Sequence, residues 1–374
     1  MRITFVTSKI NFETAGGSVP DLDRKVRDMR ELGADVQVIT LFSELDKFSQ
    51  LPYRVIQEHT PLKRLDRIQA RVFRVMRAYE KDTDVFHVEG KFAYGAALYR
   101  LLGGKPVVVF YNREPLVVGH TRGFRTLVRT GIEKNLCRTL VPQLDHFIFT
   151  CPQLEALHYE FGLHVHKKST IMLDFFDAEA IRAHAHKAHH PRTSDIRLFA
   201  SGRLIKDKGF DLLLEAIGHL DAAVQSRISL TISGDGPERK SLVAHASQLR
   251  GLKDVSFPGW VTKDQLLDLL SQADIFVMPR SWHLDLPSVI VMEALALSVP
   301  TIAPGGGGVE WMAGGSIATF TDNDVASLSA ALGRLIGSEV ERARLREAAA
   351  ERVRGIDHLA SRPKLFSIFK SLAA

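Results

Sequence analysis

The sequence predicts an α/β protein of two doubly wound, Rossmann-like domains. Three observations carry that prediction. Short apolar, β-rich runs alternate with 3.6-period segments through nearly all of the 374 residues, the pattern of parallel strands covered by helices on both faces. The alternation comes in two series, each of ordinary domain length. Between them, residues 178–195 are poor in large apolar side chains and read as a linker. The expected organisation is a first domain over 1–177, the linker 178–195, a second domain over 196–355, and a tail over 356–374 that packs back on the first domain.

Residues 2–7 open the first series as a buried strand, with too few apolar residues and too polar a sequel for a secretory signal. Further strands are expected at 36–40, 85–88, 107–111, 147–150 and 169–173, with helical periodicity over 21–32. Segment 62–81 reads as an amphipathic helix, in which Arg67, Arg71 and Arg74 follow i, i+4, i+7 spacing and Lys81 lies near the same face. The second series has strands at 197–201, 229–233, 255–258, 275–278 and 301–303, and helices at 211–219, 237–249, 263–271 and 288–296. A long helix over 341–354 is expected to break at Gly355, before an amphipathic tail at 363–372.

Composition narrows the class. Apolar residues make up 45% and charged residues 25%, and no run approaches the roughly 18 apolar residues that span a bilayer, so a globular protein of the cytoplasm is expected. Cys137 and Cys151 cannot build a disulfide framework and fit a reducing compartment. The net charge of +6 is unevenly spread: between Pro61 and Leu140, 16 Lys and Arg stand against 7 Asp and Glu, and the remainder carries 33 against 36. One part of the first half therefore faces something anionic. The basic helix suits the inner face of a cell membrane, or simply the solvated side of a packed helix. The basic segment has no recognised nucleic-acid motif and no stacking platform, so nucleic acid is not an expected partner.

The most informative stretch is Ser201-Gly202-Arg203-Leu204-Ile205-Lys206-Asp207-Lys208-Gly209-Phe210. It takes a strand through a turn into a helix and presents Arg203 and Lys208 at the helix start. A guanidinium fork, a point charge and a helix N-terminus together suit a diphosphate, although the same residues could decorate a solvated turn. Gly234-Asp235-Gly236-Pro237 ends another strand and starts another helix, but lacks the third glycine of a dinucleotide fingerprint. Gly16-Gly17 and Gly305–Gly308 follow strands and would let backbone approach a ligand closely. Ser288 stands where it could cap a helix carrying Glu293 amid apolar neighbours, a placement that demands a ligand or a salt bridge. Trp282 and His283 precede that helix. His184, His186, His189 and His190 cluster in the linker without accompanying Cys or carboxylates, so no metal is expected there. The Asp-x-Asp pairs Asp21–Asp23 and Asp82–Asp84 read as surface acids.

Together, Gly16-Gly17, Ser201-Gly202-Arg203 to Lys208-Gly209, Gly234-Asp235-Gly236-Pro237, Phe257-Pro258-Gly259-Trp260-Val261, Asp285, Glu293-Ala294-Leu295-Ala296 and Pro300 resemble the retaining family 4 glycosyltransferases. Segments 84–88, 105–109 and 171–177 extend the likeness over most of the chain. The resemblance implies the GT-B architecture, two Rossmann-like domains facing a cleft. It implies that Arg203 and Lys208 hold the donor diphosphate, and that Glu293 accepts the ribose hydroxyls. Backbone near Trp260 and Val261 would meet the base, with Gly234 on the nucleotide side. Asp285 would contact the donor sugar, counted with Arg203 and Lys208 as catalytic. Gly306-Gly307-Gly308-Val309-Glu310 fits the family's Gly-Gly-x-x-Glu loop. Gly16, Gly17, Asn112 and Ser288 would stand on the acceptor and sugar side.

The departures from the family pattern are Asp285 for a longer Glu, Asn112 for an active-site His, Glu89 for the second His of His-x-His, and Leu173-Asp174-Phe175 for Pro-Asn-Gly. The expected function is metal-independent, retaining transfer of a sugar from a nucleotide-diphosphate donor to a glycan or lipid-linked acceptor, with no cofactor beyond that co-substrate. Surface polysaccharide or lipopolysaccharide assembly is the expected setting, in the cytoplasm at the inner face of the cell membrane. A degenerate GT-B protein that binds a nucleotide or a partner without transfer is the alternative. A GT-B epimerase or phosphorylase also stays open.

Overall fold

The computed structural model describes residues 1–8, 10, 18–42, 51–58, 65–117, 124–185, 195–249, 251–279 and 286–374. The chain divides into two compact units, Met1–Phe176 with His358–Ala374, and Asp177–Asp357.

The first unit contains strands β1 (Arg2–Thr7), β2 (Asp35–Thr40), β3 (Arg54–Gln57), β4 (Val85–Glu89), β5 (Val107–Asn112), β6 (His146–Phe149) and β7 (Ser169–Ile171). They form one sheet in the order β3-β2-β1-β4-β5-β6-β7, and every pairing is parallel. Its helices are α1 (Ser18–Glu31), α2 (Leu65–Ala78), α3 (Ala93–Leu101), α4 (Phe124–Thr139) and α5 (Pro152–Glu160). The second unit contains α6 (Ala178–Ala185), β8 (Ile196–Ser201), α7 (Phe210–Gly218), α8 (Ala222–Gln225), β9 (Ile228–Ser233), α9 (Arg239–Ala246), β10 (Asp254–Gly259), α10 (Lys263–Gln272), β11 (Ile275–Val277), α11 (Val289–Ala296), β12 (Thr301–Pro304), α12 (Gly308–Ala313), β13 (Ala318–Phe320), α13 (Val325–Gly337) and α14 (Glu339–Ile356). Its sheet runs β10-β9-β8-β11-β12-β13, again all parallel. The last helix, α15 (His358–Ala373), returns to the first unit.

Strand alternation explains how both faces of the first sheet are covered. Phe86 and His87 are neighbours on β4 and so point to opposite faces. Phe86 meets Tyr99 of α3 edge-on, with ring centroids 5.7 Å apart, while His87 meets Phe369 of α15 at 6.0 Å. The α15 face holds a continuous core of Phe5, Val26, Val109, Tyr111, Leu365 and Phe369. At the start of α15, the buried His358 Nδ1 lies 2.9 Å from Asp28 Oδ2 and ties the helix to α1.

Several sequence expectations are corrected. The segment read as a linker from 178 opens as α6, and Arg182 on it donates from Nε to the Ala296 carbonyl at 2.9 Å. The remaining histidines at 186–190 lie outside the described residues. The predicted break at Gly355 is absent, because α14 runs through it and stops at the extended Asp357. Strands β3 and β13 were not anticipated from the sequence. Both are sheet edges of three or four residues, too short for an alternation pattern to register.

In each sheet the strand order reverses once, between β1 and β4 and between β8 and β11. Crevices beside the carboxyl ends of strands at such reversals are where open α/β sheets bind ligands.

Candidate functional site

The second unit builds a rim from the loops after β8, β9 and β10. Gly202 N donates to the Ser233 carbonyl at 3.0 Å, Leu204 N to Asp235 at 2.9 Å, and Gly234 N to Gly259 at 2.7 Å. Ser233 Oγ adds a 2.8 Å bond to Ser201 Oγ. The glycines of Gly234-Asp235-Gly236 make this contact possible. A Cβ on Gly234 would stand 1.9 Å from the Gly202 carbonyl oxygen, and one on Gly236 would stand 2.4 Å from that of Leu204. Gly234 therefore has a packing reason to be glycine, whatever it also contributes to a ligand.

The two cations sit on this rim. After β8 the chain makes a short turn at Lys206–Lys208, passes Gly209 at φ 66°, and enters α7 at Phe210. Arg203 is exposed, whereas Lys208 is half-buried, with its stem near Gly202. Burial, and then the Arg203 guanidinium, push the Lys208 ammonium below the usual lysine range, and Asp207 opposes them. A bound anion near both cations would lower the electrostatic cost of holding them together.

Glu293 occupies the second turn of α11 with 3% exposure, among buried Val291, Met292, Ala294 and Leu295. Burial pushes its carboxyl up and Lys263 draws it back. Lys263 Nζ donates to Glu293 Oε1, a pairing that the sequence did not reveal. Lys263 opens α10 after the N-cap Thr262, just beyond the exposed Trp260 and half-buried Val261. Ser288 holds the N-cap position of α11 in extended conformation, but its side chain makes no bond to the helix. After β12, Glu310 curls back so that Oε2 accepts from Gly306 N at 2.5 Å, bracing the glycine loop against α12. Asp285, Trp282, His283, Gly16 and Gly17 lie outside the described residues.

The first unit corrects two expectations. Asn112 is fully buried: its Nδ2 lies 2.9 Å from His158 Nε2, and its Oδ1 accepts from Glu114 N at 3.1 Å. It orders the turn after β5 rather than presenting an amide to a ligand. Asp21 is not a surface acid. It is 1% exposed, and its Oδ2 accepts from Lys25 Nζ at 2.8 Å and from the Arg113 guanidinium. Arg113 Nε lies 3.2 Å from Asp174 Oδ1, which accepts the Tyr111 hydroxyl at 2.8 Å. Lys25 is itself fully buried, with Nζ 3.1 Å from the Tyr111 ring centroid. Burial pushes the Asp21 carboxyl up against the pull of Arg113 and Lys25. Glu89, at the end of β4, carries a buried Oε1 with no hydrogen-bond partner among the described residues, and burial raises its carboxyl as well. The i, i+4 spacing of Asp21 and Lys25 was the available signal for this cluster. Among the described residues, no group of three or more His, Cys, Asp or Glu could hold a metal ion.

Comparison with known proteins supplies the class. Residues 182–352 match the family Glycosyl transferases group 1. A glycogen synthase of Mycobacterium tuberculosis is 30% identical over 168 residues, 44% of this chain and 40% of the relative. The lipopolysaccharide core biosynthesis glycosyltransferase LpsE of Rhizobium meliloti is 31% identical over 160 residues, 42% of this chain and 44% of the relative. The chain thus spans less than half the length of these curated relatives. Among solved structures, Anabaena HepE in complex with UDP superposes with a TM-score of 0.75 at 15% identity, covering 99% of this chain and 100% of that one. Sucrose-phosphate synthase from Thermosynechococcus elongatus gives 0.76 at 17% identity, covering 99% and 98%. The stretch that matches this family model, residues 182–352, takes in most of the second unit. The chain as a whole has the GT-B fold of two Rossmann-like, parallel-sheet units.

Proposed function

We propose that the protein is a retaining glycosyltransferase that moves a sugar from a nucleotide-diphosphate donor to a glycan or lipid-linked acceptor, in surface polysaccharide or lipopolysaccharide assembly. The observation that carries this reading is the pair Arg203 and Lys208 on the rim beside the β8/β11 reversal, inside the segment that matches the family. The relative named for lipopolysaccharide core biosynthesis and the UDP complex of a fold neighbour support the acceptor class and the donor class respectively.

In this reading the diphosphate lies between Arg203 and Lys208. Their charges stabilise the negative charge that develops as the sugar departs, so the leaving group needs no metal. Glu293 accepts the ribose hydroxyls, and the 259–261 loop, tied to Gly234, lies along the base. Asp285 contacts the donor sugar, and Ser288, Gly16 and Gly17 serve the acceptor and sugar side. The test is release of nucleoside diphosphate from sugar nucleotides by the wild type and by Arg203→Ala. A loss of at least about 100-fold is expected from removing a charge that acts on the leaving group. One observation favours a second reading, a GT-B protein that binds nucleotide without transfer: Asn112, in the family's His place, is locked inside the unit. Tight binding with no turnover on any glycan or lipid acceptor would establish it.

Peripheral attachment to an anionic membrane belongs to the same proposal. On α2, Arg67 and Arg74 are exposed, while Arg71 is spent on Glu58. No helix among the described residues is long and apolar enough to cross a membrane.

A further inference from the structure

The Lys263–Glu293 pair joins two helices from positions 30 residues apart. Its two ends differ in character. The Glu293 side chain is 4% exposed and the Lys263 side chain 43%. A carboxylate as buried as Glu293 keeps its charge only if a partner offsets the lost hydration. Lys263 is the charge that acts on it. The lysine is also placed with care. A capping box fixes the first turn of α10: Thr262 Oγ1 accepts from Gln265 N at 3.3 Å, and Gln265 Oε1 accepts from Thr262 N at 2.9 Å. The ammonium therefore springs from a fixed first turn of α10, just beyond Trp260 and Val261 and the Gly259 that Gly234 anchors.

We propose that Lys263 is a positioning residue for nucleotide recognition. Its ammonium keeps the Glu293 carboxylate charged and holds it at the start of α10, where it accepts the 2′- and 3′-hydroxyls of a ribose. The inference rests on the reading of Glu293 as the ribose acceptor. A purely structural salt bridge is the weaker account, because both helices are secured without it. Helix α10 has its capping box and the buried Leu267 and Leu270, and α11 has Arg182 on its terminal carbonyl. A buried ion pair with only a structural task returns little beyond its desolvation cost. A carboxylate that must bind hydroxyls has to be present as the anion, and the lysine provides for that.

The experiment uses the full chain and isothermal titration with UDP, GDP and ADP, followed by the 2′,3′-dideoxy analogue of whichever binds most tightly. The wild type should prefer the ribonucleotide by roughly tenfold or more, the worth of hydrogen bonds to a charged acceptor. In Lys263→Met the preference should fall towards one, whereas Lys263→Arg, which keeps the charge, should retain most of it. In the Glu293→Gln background, Lys263→Met should cost no further discrimination. The ratio of two ligands on one protein is insensitive to a general loss of stability, and Lys263→Gln serves if the Met variant does not fold. Undiminished discrimination in the neutral variants overturns the role of Lys263 and leaves the ribose reading standing. Equal binding of both nucleotides by the wild type, or binding of none, overturns both.

Discussion

Lys208 carries an electrostatic cost that the proposed diphosphate would relieve. Burial and the neighbouring Arg203 disfavour its charged form, and an anionic ligand would restore what burial removes. The sign of the pH dependence follows. Without ligand the ammonium loses its proton at a lower pH than an ordinary lysine, and only the protonated form attracts a diphosphate. Nucleoside diphosphate affinity should therefore decline on the alkaline side at a lower pH than for an ordinary lysine, and Lys208→Arg should remove the decline. Affinity measured against pH checks this; parallel profiles for the two proteins would show that Lys208 does not touch the ligand. At this scale the sequence was uneven as a guide. The placement of Arg203 and Lys208 on a strand-to-helix turn and of Glu293 on a buried helix was legible, because their motifs are local and lie on the elements that the pattern predicts. The partner of Glu293 was not, since nothing in the spacing of Lys263 from residue 293 signals contact. Asp21 was misread because an isolated Asp-x-Asp carries no information about burial; Lys25 and Arg113 bring it inside.

Among the elements, the rim depends on loops from three adjacent strands lying almost in contact. The closest approach is at Gly234, where an added methyl would stand 1.9 Å from backbone oxygen rather than from a yielding side chain. Gly234→Ala should thus cost about 2 kcal/mol or more in unfolding free energy, at the upper range of overpacking. Thermal or denaturant melting reads this directly, and a loss within experimental error of zero would mean that the loops separate easily. The long, strongly patterned elements were legible in advance. The failures share a physical cause: β3 and β13 are too short to show alternation, and α6 and the end of α14 lie where low apolar content or a lone glycine suggested a break. Helix α14 tolerates Gly355 because Leu345, Ala349, Val353 and Ile356 keep burying one face around it.

At the scale of the whole molecule, the two sheets repeat one plan, each reversing its strand order once. The positive charge of the chain is concentrated between residues 61 and 140, in the first unit. That asymmetry predicts sedimentation with anionic liposomes at low salt, weakened by added salt and reduced by Arg67→Glu together with Arg74→Glu. Equal partition with neutral liposomes would remove the membrane from the account. The central claim, that the second unit holds a nucleotide-diphosphate donor through Arg203 and Lys208, is tested most directly by calorimetric titration of UDP, GDP and ADP into the wild type and Arg203→Ala. The account predicts that at least one of them binds the wild type and that Arg203→Ala weakens it about tenfold or more, with the melting temperature unchanged. Binding of none of the three, or equal affinity in the two proteins, would contradict it.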